Sequence, residues 1–127
     1  MIDVDHFNVV NDEHGHDAGD RVLQTLASRL VKSVRRTDIV VRYGGQEFVV
    51  ALPESGRDTS ELPAERIRKS VASSVLELGE KRISITVSIG GATLVPGIAD
   101  PEILLKMADG ALYAAKQGGR NRAHWSK

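Results

Sequence analysis

Between Ile83 and Ile89 the apolar residues Ile83, Ile85, Val87 and Ile89 alternate without a break with Ser84, Thr86 and Ser88. A strict period of two marks a strand with one buried face, because a slip of one residue would turn every branched side chain to water. Helical periods lie on either side of it. Val22, Leu23, Leu26, Ala27, Leu30, Val31 and Val34 recur at the spacing of an amphipathic helix of about four turns. Ile67, Val71, Val75 and Leu78 predict the inner face of a second helix, with Pro63 near its start and Gly79 ending it. Asp100 followed by Pro101 is an N-cap with proline at the first helical position, and Ile103, Leu104, Met107, Ala111, Leu112 and Ala115 carry a third helix to Gly118-Gly119.

Around these periods the chain is shorter-ranged. Met1 to Val4 reads as the end of a buried strand, and Phe7 to Asp20 reads as turn-rich and polar. Ile39–Tyr43 and Glu47–Leu52 are largely branched or apolar, and Gly44-Gly45 between them would supply the positive φ angles of a tight two-residue hairpin turn. Pro53 to Ser60 reads as a loop, and a short last strand is expected near Ala123. The order is strand, helix, hairpin, helix, strand, helix and last strand. It contains the βαββαβ arrangement of ferredoxin-like folds, an α+β class with a central antiparallel sheet and flanking helices.

Composition narrows the function. The 127 residues fit one domain, and the absence of cysteine removes thiol catalysis and Cys-ligated zinc. Lys and Arg number 17 against 17 Asp and Glu, a balance that disfavours binding to nucleic-acid polymers and leaves small anionic ligands open. Apolar runs such as Phe48–Leu52 fall far short of the roughly 20 residues that span a bilayer. Nothing at the N-terminus resembles a signal peptide, so the sequence reads as a cytoplasmic domain, or a cytoplasmic piece of something larger, with no direct membrane insertion.

Several groups have chemical potential. Asp3 and Asp5, two residues apart at a strand end, can present two carboxylates to a Mg²⁺ ion or simply end the strand in solvent. The hairpin Arg42-Tyr43-Gly44-Gly45-Gln46-Glu47-Phe48 offers backbone that a ligand can approach closely, although ordinary hairpins also use Gly-Gly. Lys116 and Arg120, four apart at a helix end, can share one phosphate or answer the helix dipole. Arg35 and Asp38 suit a surface ion pair. His14 and His16 lack a third metal ligand and read as part of a polar loop.

Together, Ile2-Asp3-Val4-Asp5-His6-Phe7, Asn11-Asp12, Gly15 to Asp20, Arg42 to Phe48, Ser88-Ile89-Gly90, and Ala108-Asp109 through Tyr113, Ala115-Lys116 and Gly119-Arg120-Asn121 resemble the GGDEF family of diguanylate cyclases. The resemblance runs in order along essentially the whole chain. It implies a domain that joins two GTP molecules into cyclic di-GMP and two pyrophosphates, each facing protomer of a homodimer holding one GTP with Mg²⁺ or Mn²⁺. Carried over by position, Asp3, the Val4 carbonyl and Gln46 stand at the metal, and Gln46 and Glu47 at the catalytic motif. Asn11 and Asp20 stand at guanine, Gly44 and Gly45 beside the phosphates, and Lys116 and Arg120 at the terminal phosphates. Arg35-Arg36-Thr37-Asp38 resembles the family's inhibitory Arg-x-x-Asp site for cyclic di-GMP, with Arg66 as its second arginine. The same resemblance implies fusion or coupling to a sensory or regulatory domain.

Three positions depart from the family pattern. Gln46 replaces an Asp or Glu that ligates metal, and a hard divalent ion depends on anionic oxygen. Asn8 stands where a phosphate-facing lysine is usual. The family's N-terminal Leu-Thr-Gly-Leu-x-Asn-Arg stretch and covering helix are not in these 127 residues. The departures imply impaired turnover, and with it a second reading: a catalytically inactive regulatory domain that binds cyclic di-GMP or GTP.

Overall fold

The computed structural model describes residues 1–98 and 100–127. In chain order the elements are β1 (Ile2–Val4), α1 (Phe7–His14), α2 (His16–Ser33), β2 (Ile39–Arg42), β3 (Glu47–Ala51), α3 (Arg57–Ala72), β4 (Val75–Leu78), β5 (Lys81–Ser84), β6 (Val87–Gly91), α4 (Pro101–Gln117) and β7 (Ala123–Trp125). The main sheet runs β2-β3-β1-β6-β7, antiparallel throughout except for the parallel β6–β7 pair, and β4–β5 form a separate hairpin. The β1, β2, β3 and β6 strands thus form the expected βαββαβ core.

Side-chain alternation divides the sheet's two faces. Ile2 pairs across to Phe48 and Ile89, and these residues join Val4 and Val87 in one core with Val22, Leu23, Leu26 and Leu30 of α2 and Ala64, Ile67 and Val71 of α3. The opposite face carries Asp3, Ser88 and Gly90, and α4 lies against its β6 side. Gly90 is required by that packing: a Cβ built there would lie 2.2 Å from both the Ala108 carbonyl oxygen and the Leu112 nitrogen. Neither backbone atom can swing away as a side chain can.

The structure corrects six sequence expectations. Phe7 to Asp20 is not a turn-rich loop; it holds α1 and the start of α2, broken by Gly15 at φ 91°. Only Phe7 and Val10 of α1 are buried, so its apolar stripe was too sparse to read. Pro53–Ser60 is not all loop and Pro63 does not mark a helix start, because α3 begins at Arg57 and Pro63 lies inside it. The starting signal is the Thr59 hydroxyl, 3.1 Å from both the Gly56 nitrogen and the Gly56 carbonyl oxygen.

The same helix stops at Ala72, and Val75 and Leu78 belong to β4 rather than to its inner face. Ser74 Oγ turns back to the Ser70 carbonyl at 2.6 Å, and Leu76 and Leu78 then pack on the core with a period of two. The alternating run from Ile83 to Ile89 is two strands in two sheets, β5 and β6, parted at Ile85-Thr86. Finally, Gly44 and Gly45 are not among the glycines with positive φ; residues 43–46 form a wider loop in which the Tyr43 and Gly44 nitrogens both donate to the Glu47 carbonyl, at 2.8 and 3.3 Å.

The packing at Gly90 yields a direct expectation. Gly90→Ala should destabilise the domain by at least about 2 kcal/mol, the scale of forced overpacking against backbone, whereas Gly45→Ala, which meets nothing within 4 Å, should stay within about 0.5 kcal/mol. Denaturant midpoints of the two variants measure the difference.

Candidate active site

The motif residues from opposite ends of the chain meet at β1. Asp3 is only 2% exposed and sits between its cross-strand neighbours Glu47 of β3 and Ser88 of β6. Its Oδ1 accepts a hydrogen bond from Gln46 Nε2 at 3.1 Å, and its Oδ2 is paired with the Lys116 ammonium from the last turn of α4. Thus Asp3, Gln46, Glu47 and Lys116 converge from three elements and one loop. Val4 is buried in the core, and only its backbone is available to a ligand; its nitrogen donates to the Gln46 carbonyl at 3.4 Å.

Asp5 has a different role from Asp3. It is 5% exposed and its oxygens accept from Ser88 Oγ at 2.7 Å, Thr86 Oγ1 at 2.7 Å and the Asn121 nitrogen at 3.0 Å. The two carboxylates do not form one open pair; protein donors occupy Asp5. Sequence reasoning missed Thr86, Ser88 and Asn121 as its partners. Their signal was present in the small hydroxyls of the alternating run, which read as a polar face although Ser88 is fully buried.

The 43–46 loop is tied by Arg42, to which the sequence reading gave no role beyond opening the hairpin motif. Arg42 donates from Nη2 to the Gly45 carbonyl at 2.8 Å and from Nε to the Gly44 carbonyl at 3.3 Å. Gly45 has neither a positive φ nor any atom within 4 Å of an added Cβ, so the folded chain itself makes no demand for glycine there. Close approach of a ligand to the backbone supplies such a demand.

Asn11 of α1 lies against the N-terminal turn of α2. A Cβ on Gly19 would fall 2.0 Å from Asn11 Oδ1, so glycine at 19 is what lets the amide sit there, next to Asp20. That Oδ1 is buried without a hydrogen-bond partner, an unmet acceptor of the kind that a bound donor completes. Asp20 is exposed one residue beyond. Arg120 occupies the turn after α4, four residues past Lys116. His14 and His16 flank the α1–α2 break, and among the described residues no group of three or more His, Cys, Asp or Glu gathers into a metal site.

A second cluster forms between α2 and β2. The Arg35 nitrogen donates to Asp38 Oδ2 at 2.7 Å, and its guanidinium donates to both Asp38 oxygens, to the Pro53 carbonyl at 3.0 Å and to Ser55 Oγ at 2.9 Å. The guanidinium's hydrogen bond holds the Asp38 carboxyl below its ordinary range. Arg66, from α3, bonds the Ser33 carbonyl at 3.0 Å, two residues before Arg35. The Arg35, Asp38 and Arg66 side chains are therefore gathered at one end of α2, with the RxxD pair already ordered.

The family described as "Diguanylate cyclase, GGDEF domain" matches residues 1–122, and the chain belongs to it. It is 41% identical over 127 residues to diguanylate cyclase A of Treponema denticola, covering all of this chain and 34% of that protein. It is 43% identical over 123 residues to response regulator PleD of Caulobacter vibrioides, covering 95% of this chain and 27% of the relative. The chain thus spans about a third or less of these relatives.

Among solved structures, the active GGEEF domain of a diguanylate cyclase from Vibrio cholerae superposes with a TM-score of 0.93 at 34% identity, covering 99% of this chain and 80% of that one. The GGDEF domain of DgcB from Caulobacter crescentus, in complex with c-di-GMP, gives 0.92 at 36% identity, over 98% and 74%.

The divalent ion of such a family does not fit the residues as they stand. Asp3 is the one carboxylate directly bonded at the motif, Gln46 turns an N–H donor toward it, and the Lys116 ammonium already balances its charge. Gln46 meets Asp3 with a neutral amide donor, where a second carboxylate would need a cation to offset the repulsion. Gln46→Glu should therefore lower Tm by about 4 °C or more in chelator, the scale of roughly 1 kcal/mol of carboxylate repulsion, and regain it in millimolar Mg²⁺. Wild-type Tm should not respond to the ion; thermal unfolding with and without Mg²⁺ checks both.

Proposed function

We propose that this chain is a diguanylate cyclase domain whose turnover is impaired at Gln46. It binds GTP as one half-site of a homodimer and condenses two GTP into cyclic di-GMP. The observation that carries the reading is the convergence of Asp3, Gln46, Glu47 and Lys116 beside the open Gly44-Gly45 loop. In this reading Asn11 and Asp20 supply acceptors for the donor edge of guanine, Gly44 and Gly45 admit the phosphates to the backbone, and Lys116 and Arg120 neutralise the terminal phosphates. Glu47 lies across from Asp3 and supports the motif end of the site.

Lys116 must exchange Asp3 for phosphate when GTP arrives, and Asp3 then keeps one neutral neighbour, the Gln46 amide. The missing carboxylate corresponds to roughly 3 to 4 kcal/mol of transition-state stabilisation, or about 10² to 10³ in rate. Cyclic di-GMP measured by chromatography after incubation with GTP and Mg²⁺ or Mn²⁺ tests this: Gln46→Glu should form product at least about 10²-fold faster than the unmodified chain. Equal rates would overturn the assignment of Gln46 as the lesion.

A second reading, a regulatory domain that binds cyclic di-GMP without turning over GTP, is favoured by the ordered Arg35–Asp38 pair beside Arg66. Arg66, and Arg35 once its bonds to Pro53 and Ser55 are exchanged for a ligand, can offer guanidinium edges for bidentate contact with guanine or phosphate. Arg35→Ala should abolish cyclic di-GMP binding in a calorimetric titration and leave GTP binding nearly unchanged. Among the described residues no helix is long and apolar enough to cross a membrane. We place the domain in the cytoplasm, coupled to a sensory or regulatory domain that sets its signal.

A further inference from the structure

Gly119, Arg120 and Asn121, immediately after α4, are consecutive residues in the left-handed region, with φ of 120°, 64° and 47°. Two of them carry side chains, and such residues keep this conformation only where surrounding contacts over-determine it. Here five contacts to residues 120 and 121 do so. The Arg120 nitrogen donates to the Ala115 carbonyl at 3.0 Å, and Arg122 Nε donates to the Arg120 carbonyl at 3.0 Å. The Asn121 nitrogen donates to Asp5 at 3.0 Å. The last two come from α3, fifty-three residues away in sequence: Arg68 Nη1 donates to Asn121 Oδ1 at 2.8 Å and, more weakly, to the Asn121 carbonyl oxygen at 3.4 Å.

Arg68 is itself aimed. Its Nε donates to both oxygens of Glu65, at 3.0 and 2.9 Å, from one turn earlier on α3. The pair belongs to neither site described above. Yet its far end grips the residue next to Arg120, and among the described residues Arg120 enters hydrogen bonds only through its backbone. The backbone at 120 therefore sets the point and the Cα–Cβ direction from which that long side chain leaves the turn. Lys116 differs, because a regular helical turn of α4 positions it.

We infer that Arg68 is a positioning residue for the phosphate end of the GTP half-site: by holding Asn121 Oδ1 it keeps the left-handed turn that directs Arg120. The inference rests on the reading of Arg120 as a phosphate ligand. It separates the triphosphate from the base, since Asn11 and Asp20 lie on α1 and α2 and take no part in the turn.

Calorimetric titration of the whole chain with GTP and with GMP tests it. Arg68→Ala should weaken GTP binding about tenfold while GMP changes by less than about twofold, since the lost aim concerns the distal phosphates. Asn121→Gly accepts the left-handed φ but removes the 2.8 Å side-chain acceptor for Arg68, leaving only the 3.4 Å contact to the carbonyl of residue 121. It should reproduce the GTP loss, and the double variant should bind GTP no worse than either single one. Should Arg68→Ala fail to fold, Asn121→Gly carries the test alone.

Arg120→Ala separates the two layers of the argument. If it weakens GTP binding while Arg68→Ala and Asn121→Gly do not, the positioning role falls and the half-site stands. Equal loss of GTP and GMP in the Arg68 and Asn121 variants would replace positioning with a general structural role. If Arg120→Ala leaves GTP binding intact, the phosphate assignment falls and takes this inference with it.

Discussion

A buried carboxylate that has found all its donors within the protein holds this domain together at its functional end. Asp5 takes hydrogen bonds from Thr86, just before β6, from Ser88 within it, and from the Asn121 nitrogen in the turn before β7. Hydrogen bonds to a charged group contribute on the order of 1.5–3 kcal/mol each, and a buried charge left short of donors costs more than it returns. The three donors therefore act as a set. β1 has only three residues, and Asp5 locks its end to the neighbouring strand and to the turn that carries Arg120.

Everything at the candidate active site is measured from that lock. Asp3, two residues earlier, is brought between Glu47 and Ser88, within reach of Gln46 and Lys116. At its centre the Asp3 carboxylate is matched by one ammonium, from Lys116, and one amide donor, from Gln46, with Glu47 alongside on β3. A carboxylate at 46 would make the same geometry depend on a cation, and the structural neighbour from Vibrio cholerae carries a GGEEF motif where this chain reads Gly-Gly-Gln-Glu-Phe. The Arg35–Asp38 cluster is separate from that site. Its charges are complementary and its hydrogen bonds internal, so the α2–β2 end is organised independently of the motif loop.

Much of this was legible in the sequence, and the failures share a cause. The βαββαβ order, α4 with its Asp100 cap, the first long helix and the motif residues could all be read from local patterns. The α1 helix could not, because it buries just Phe7 and Val10 and its polar residues imitate a loop. The helix drawn through Val75 and Leu78 failed because four residues of mixed apolar pattern suit either period. The single strand drawn through Ile83–Ile89 failed for a subtler reason: alternation records which way side chains point, not which sheet receives them. Ile83 and Val87 are both buried, but in strands of separate sheets.

The sequence by itself determined the family, the order of the core elements and the identity of the chemical groups, because these reside in residue types at short spacings. It also carried the substitution at Gln46, whose neutrality is a property of the residue. Only the tertiary structure decided that Asp3 is paired while Asp5 is consumed as a structural fastener, since the two differ in partners 43 to 116 residues distant. The reach of Arg68 to Asn121 is likewise a product of folding. Hydrogen bonding depends on distances of about 3 Å between atoms, and for residues this far apart in the chain those distances exist only after the sheet and its helices have packed.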